Sequence, residues 1–400
     1  MPDDPTPTPD PRPVLSIYGT AVAPYELHLY RRIADELPLR VQTFAASEDS
    51  TRQWRLDEVE SIGLVDLSEG RKVPRMASLA DQRHAWRVGG RVIEHMKRAG
   101  SRAIIVNGYY DLGRLRTIFW CWRTGRVCLL RGDSNIADDL QNGPAKRAVK
   151  RLLVGAVGKL TDGALVVGPL GFDYWRQYGF SDERMHCVSY EPDYALIESI
   201  TDAEVADAAR RFGLDPARRR LVFSGRLIPV KRVDLLIDAF ARLAPDRPEW
   251  DLLVLGDGEL RDELQARVPE GLRDRVIWTG FLADQRDVSR LYRAGDLLVL
   301  PSDREPWALV VNEAAAAGLA IVATDVVGAA AALVRPGKNG DTFPRGDLDA
   351  LTAALQKTTA PDAIDRLKAG SAEVLAAWRR DFDPVRVLRN ALVQNGVLAG

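Results

Sequence analysis

The feature that most constrains how this 400-residue chain can fold is an alternation of short apolar runs with stretches of helical period, played through twice. In the first series, strands are predicted over 14–18, 39–44, 103–107, 127–131, 164–167 and 186–189, and helices over 24–36, 79–98, 112–123, 144–160 and 170–178. The runs are apolar almost throughout rather than alternating, which suits strands buried on both faces. The strand–helix–strand order makes the sheet parallel. The pattern lapses over 190–200, around Pro192, and then restarts. Strands follow at 221–224, 252–255, 276–279, 297–300 and 320–323, with helices at 202–212, 232–243, 259–268, 287–293, 307–317 and 347–356. The expected fold class is α/β, with two Rossmann-like doubly wound domains facing across a cleft. The expected divisions are a disordered Pro/Asp-rich tail at 1–13, an N-terminal domain at 14–190 and a C-terminal domain at 191–363. A helical segment at 364–400, broken at Pro384, is expected to pack back on the N-terminal domain.

Composition narrows the partners. A net charge of −1 argues against general polyanion binding, so nucleic acid is not an expected partner. Cys121, Cys128 and Cys187 form no CxxC pair, and His28, His84, His95 and His186 show no metal-ligand spacing, so no metal is expected. Residues 1–13 lack the basic and apolar regions of a secretory signal, and no apolar run is long enough to span a bilayer; a cytoplasmic location is expected. The helix predicted over 144–160 carries Lys146, Arg147, Lys150, Arg151 and Lys159 without an acid, interleaved with Leu152, Leu153, Val154 and Val157. That pattern fits an ordinary solvated face. The alternative is peripheral contact with the anionic inner face of a membrane.

In open α/β sheets, ligands bind beyond the carboxyl ends of the strands. At one such end lies Gly225-Arg226-Leu227, with Lys231 close behind. Gly225 permits close backbone approach, Arg226 offers a planar fork for phosphate oxygens and Lys231 a point charge, although a solvated loop with two routine cations has the same spacing. Gly256-Asp257-Gly258 follows the next strand. It is not a dinucleotide fingerprint, because position 261 is Arg261. Gly280-Phe281-Leu282 ends the strand after that. Then come Glu305 and Glu313, with seven residues between them, the second inside a helix that is apolar nearly all round. No Lys or Arg lies between Trp307 and Gly318, so Glu313 needs a distant partner or a polar ligand such as a ribose diol. Glu305 reads either as an acid favoured by the helix dipole or as a grip on a sugar hydroxyl. The helix start near Val310 offers free N–H groups to an anion. Sugar, diphosphate and ribose together outline a nucleotide sugar. Asp347-x-Asp349 opens a helix and reads as a cap, not a metal site.

The series Gly225-Arg226-Leu227-x3-Lys231, Gly256-Asp257-Gly258, Gly280-Phe281-Leu282, residues 301–318 and Asn339-Gly340-Asp341-Thr342-Phe343 resembles, in order and spacing, the family 4 (group 1) retaining glycosyltransferases. The likeness covers about residues 221–356, and the N-terminal half only in architecture. It implies the GT-B fold, a nucleotide-diphosphate sugar as co-substrate with no cofactor or metal, and transfer with retention of configuration. It also implies roles. Arg226, Lys231 and Glu305 would be catalytic; Gly225, Phe281, Leu282, Val310 and Glu313 would bind the donor. A glycan, lipid-linked or small-molecule acceptor would meet the N-terminal domain at Gly19, Asn107 and Asp133, with His28 on the first helix. The chain departs from the family pattern at Ala308, where Gly is usual, and at Ala315, where Met is frequent. It also lacks the double Gly near Gly19, a Glu at 330–332 and a His in the turn Asn107–Asp111. The alternatives are a sugar-nucleotide epimerase or hydrolase on the same fold, and a non-catalytic sugar-nucleotide-binding subunit.

Overall fold

A computed structural model describes residues 10–46, 60–70 and 78–400. Of the tail expected over 1–13, residues 1–9 lie outside the described residues. The first sheet contains β1 (Val14–Gly19), β2 (Arg40–Ala45), β3 (Leu64–Asp66), β4 (Ala103–Asn107), β5 (Val127–Arg131), β6 (Gly163–Val166) and β7 (Met185–Cys187). The second contains β8 (Arg219–Ser224), β9 (Trp250–Leu255), β10 (Val276–Gly280), β11 (Leu297–Leu300), β12 (Ala320–Thr324) and β13 (Gly340–Phe343). Their spatial orders are β3-β2-β1-β4-β5-β6-β7 and β10-β9-β8-β11-β12-β13. Every pairing between these strands is parallel. These are two doubly wound α/β domains. Each reverses its strand order once, between β1 and β4 in the first sheet and between β8 and β11 in the second.

The apolar strands are buried because helices cover both faces. On one face of the first sheet, Leu15, Ile17, Ile105, Leu129 and Leu165 join a core with Leu27, Tyr30 and Ile33 of the helix Pro24–Glu36. Val385, Leu388, Ala391 and Leu392 of the last helix, Pro384–Gln394, complete that core. The chain therefore crosses back from the second domain to close the first. It does so through the long helix Ile364–Asp381, whose Trp378 packs against Trp307 with ring centroids 5.8 Å apart. Asp383 stops one helix and caps the next, accepting from the Arg386 N–H (2.8 Å) and from Arg32 (2.8 Å). The opposite face of the first sheet packs on Leu79–Ala99, Leu112–Thr124 and Pro144–Gly158.

Several elements differ from the sequence reading, which does not place β3 or the short helices Ile136–Asp139 and Gly328–Leu333. The aperiodic linker contains a short helix, Tyr194–Glu198, capped by Asp193, whose side chain accepts from the Leu196 N–H at 3.0 Å. Strand β13 falls on residues read only as a motif. The helix expected from 307 begins at Leu309, because Ala308 sits in the left-handed region at φ 75°. Among the described residues no helix is long and apolar enough to cross a membrane.

Candidate functional site

The two points where strand order reverses are where doubly wound sheets open a crevice. Both are furnished with polar side chains here. In the second sheet, the segment after β8 and the segment after β11 meet. The Asp303 N–H donates to the Val230 carbonyl (2.9 Å), and this brings the Lys231 ammonium onto a Glu305 oxygen, which also accepts from Ser302 Oγ (3.2 Å). Glu305 is 7% exposed. It lies in an extended segment that bridges to Val327, not in a helix, so a dipole-favoured first-turn acid is the wrong description of it. Arg226 is exposed and its side chain has no partner among the described residues. Gly225 lies beneath the lysine; a Cβ there would stand 3.9 Å from Lys231 Cε.

The glycine-rich turns after β8, β9 and β10 brace one another. The Leu227 N–H donates to the Asp257 carbonyl (3.0 Å), Leu260 N–H to the Leu227 carbonyl (3.1 Å) and Gly256 N–H to the Gly280 carbonyl (3.1 Å). Backbones are so close that a Cβ on Gly256 would come within 1.9 Å of the Gly225 oxygen. The Gly256-Asp257-Gly258 turn is thus a buttress for the Arg226 loop. Phe281, 59% exposed, and half-buried Leu282 follow the last of these turns.

Glu313 is buried in the helix Leu309–Ala316, and its partners come from elsewhere in the chain. Gln285 Nε2 donates to one oxygen (3.0 Å) and Tyr292 Oη to the other (3.1 Å). The distant partners expected for Glu313 are thus present: both donors come from the helix Gln285–Arg293, whose register against this one is invisible in sequence. Burial raises the carboxyl to about 7 against the pull of the two hydrogen bonds. Each oxygen retains a lone pair for a further donor. At the start of the same helix, the Val311 N–H makes the first bond, to the Ala308 carbonyl (3.0 Å). The Leu309 and Val310 N–H groups precede it.

At the first sheet's reversal point lies a cavity of about 950 Å³. Asn107 and Asp133 line it; Gly19 lies one residue short of its lining, and His28 is not part of it. The His28 imidazole is half-buried, flanked by Asp193, Arg31 and Arg32, and burial lowers its pKa. The sequence reading missed what dominates the cavity: Glu26, Arg131, and the rings of Tyr25, Tyr109, Trp175 and Tyr190. Arg131 is the last residue of β5, so the strand-end rule alone could have found it; Glu26 carried no signal. The predicted basic helix forms part of the rim, with Lys146, Val149, Lys150 and Leu153 facing the cavity. Lys150 is already bonded to Asp139 (2.6 Å).

The two sites belong to domains that touch along one edge. Asn135 Nδ2 donates to the carbonyls of Glu305 (3.2 Å) and Val326 (3.0 Å), while Asn312 Nδ2 bonds to Tyr194 Oη of the linker helix (3.0 Å). Trp307 seats its ring on Gly168, where a Cβ would lie 2.4 Å from Cζ3. The segment that carries Glu305 is thereby fixed by the first domain as well as the second.

Residues 218–360 match the sequence profile of the group 1 glycosyl transferases. The chain is 35% identical over 184 residues to the lipopolysaccharide core biosynthesis mannosyltransferase LpsB of Rhizobium meliloti, covering 44% of this chain and 51% of that one. It is 34% identical over 176 residues to the D-inositol 3-phosphate glycosyltransferase of Jonesia denitrificans, covering 42% and 41%. The matches thus span about half or less of these relatives' length. Among solved structures, HepE of Anabaena in complex with UDP and glucose superposes with a TM-score of 0.73 at 18% identity, over 97% of this chain and 100% of that one. Sucrose-phosphate synthase of Thermosynechococcus elongatus superposes at 0.74 and 18% identity, over 96% and 100%.

Proposed function

We propose that this chain, whose residues 218–360 match the group 1 glycosyltransferase profile and whose fold is GT-B, moves a sugar from a nucleotide-diphosphate donor to an acceptor hydroxyl, with retention, in glycan or glycoconjugate synthesis. The observation that carries this reading is the Lys231–Glu305 pair at the second sheet's reversal point, with Arg226 unengaged beside it. In the proposed complex the donor diphosphate draws Lys231 from Glu305 and takes Arg226 as a second cation. The carboxylate so released accepts from hydroxyls of the transferred sugar. The Val310 N–H faces the diphosphate, Glu313 accepts from the ribose diol, and Phe281 and Leu282 flank the base. Charge builds on the leaving diphosphate as the sugar–oxygen bond breaks, and Lys231 and Arg226 stabilise it there. The same diphosphate, on the face the acceptor approaches, receives the acceptor's proton, so no second carboxylate is needed. UDP in the solved neighbour HepE favours a uridine donor. Incubation with UDP- and GDP-sugars tests the reading. Transfer to an added acceptor supports it; conversion of donor alone at the full rate would assign an epimerase or hydrolase instead.

The acceptor would enter the cavity of the first domain. Its rim helix turns Leu152 (77% exposed) and Arg151 away from the cavity into solvent, with exposed Lys146 and Val149 at the cavity mouth. This favours peripheral contact with an anionic bilayer, which would present a lipid-linked acceptor at the cavity mouth. Sedimentation with anionic vesicles should show binding that weakens with salt and is lost when Leu152 and Arg151 are both changed to Ser; no binding at low salt would remove the membrane from the account.

A further inference from the structure

We propose that the first domain's cavity takes an acceptor bearing an anionic group, a phosphate or carboxylate, seated on Arg131 beside a hydroxyl seated on Asn107. The word acceptor rests on the function proposed above; the anion site does not. Arg131 is 2% exposed and lines the cavity. Its guanidinium lies over the Tyr190 ring, 4.7 Å from the centroid, and Nη1 makes one long bond to Tyr30 Oη (3.4 Å). Nε and Nη2 are buried and have no hydrogen-bond partner among the described residues. These two nitrogens form one edge of the guanidinium, the fork that meets two oxygens of a carboxylate or phosphate side by side. An always-charged group buried with that edge unfilled is costly unless a ligand fills it.

The protein's own acids do not fill it. Glu26 is the nearest buried carboxylate, yet it makes no ion pair with Arg131. Its oxygens accept from the Ala23 N–H (3.0 Å), Tyr30 Oη (3.4 Å) and Asn107 Nδ2 (3.5 Å), and burial raises its pKa, which weakens its charge further. Asp133 is exposed at the cavity lining; its charge is felt by Arg131, but it makes no ion pair with it. Asn107 spends its amide on Glu26 and leaves Oδ1 buried and unpartnered, an acceptor suited to a hydroxyl donor. A neutral sugar would satisfy Asn107 and leave the arginine edge bare. A phosphorylated or acidic polyol satisfies both.

The test uses the full chain in the Lys231→Ala background, so that a phosphate has no lysine at the second sheet to hold it. Binding of glycerol 3-phosphate and gluconate is compared calorimetrically with glycerol and glucose, and vesicles containing phosphatidic acid with vesicles of phosphatidylcholine alone. The anionic probe should bind about tenfold or more tightly than its neutral counterpart. Arg131→Gln should abolish that preference and Arg131→Lys retain part of it. A response to soluble probes assigns a free phosphorylated or acidic acceptor; an Arg131-dependent response to vesicles alone assigns a lipid phosphate. Equal binding of charged and neutral probes, which needs no Arg131 variant to observe, or a preference that survives Arg131→Gln, overturns the proposal. Nucleotide binding, measured separately with Lys231 intact, should be unchanged in Arg131→Gln; its absence from the unmutated protein would count against the donor site and leave the anion result standing.

Discussion

Lys231, Glu305 and Glu313 carry the proposed chemistry, and each has a distinct signature. Lys231→Ala should lower turnover by about 3 kcal/mol of transition-state stabilisation, on the order of a hundredfold, with the fold retained. Wild-type turnover in that variant would remove the lysine from the donor site. Glu313 titrates near neutrality because burial raises it to about 7. The folded protein then binds this proton more tightly than the unfolded chain does. Its contribution to stability is therefore largest below the unfolded pKa and is lost as pH rises through the folded one. Affinity runs the other way: the ionised carboxylate accepts from the ribose diol, so an intact nucleotide sugar should bind more tightly as pH rises from about 6 to 8, and Glu313→Gln should flatten both trends. A titration showing no pH dependence in the unmodified protein would mean that Glu313 does not meet the ligand. The sequence exposed this residue by its incongruity, a charge in an apolar helix. It could not show Gln285 and Tyr292, which reach it only once two helices are packed.

Ala308 shows how a single element can be legible in position and wrong in detail. Hydrophobic period placed the helix, but the period extends past the point where the backbone leaves helical space, and only φ 75° at Ala308 marks the true start. A side chain in that conformation costs about 1–2 kcal/mol. Ala308→Gly should accordingly raise the denaturant midpoint by about 1 kcal/mol of stability at unchanged slope. A lower midpoint would show that the methyl group is packed well enough to outweigh the strain. The glycine turns tell a similar story from the other side. Gly256 is visible in the sequence only as a glycine after a strand, and its tertiary reason, the approach to the Gly225 carbonyl, required the fold. Gly328-Ala329-Ala330 packs directly on the Glu305 segment. The Ala329 N–H donates to the Trp307 carbonyl (2.8 Å), and Ala329, Ala330 and Ala332 are all buried. Small side chains there let the two backbones meet.

At the scale of the molecule, strand order decides where chemistry can happen. Alternating period revealed two parallel sheets, but not the positions of β1 beside β4 or β8 beside β11 that open the two crevices. The segment 364–400 is expected from sequence to pack back on the first domain, but which core residues it meets there cannot be read from period alone. Deleting residues 384–400 should expose Leu15, Ile17, Ile105 and Leu129 and unfold the first domain before the second. A single unchanged melting transition would show that this helix is dispensable. The edge contact through Asn135, Trp307 and Gly168 ties the Glu305 segment to the first domain, so the two crevices are held in one frame. The most direct measurement of the whole account is a crystal structure with an intact nucleotide sugar. It should place the diphosphate against Lys231 and Arg226, the ribose on Glu313 and the sugar on Glu305. A nucleotide seated in the first domain's cavity, with the Lys231–Glu305 pair undisturbed, would contradict it.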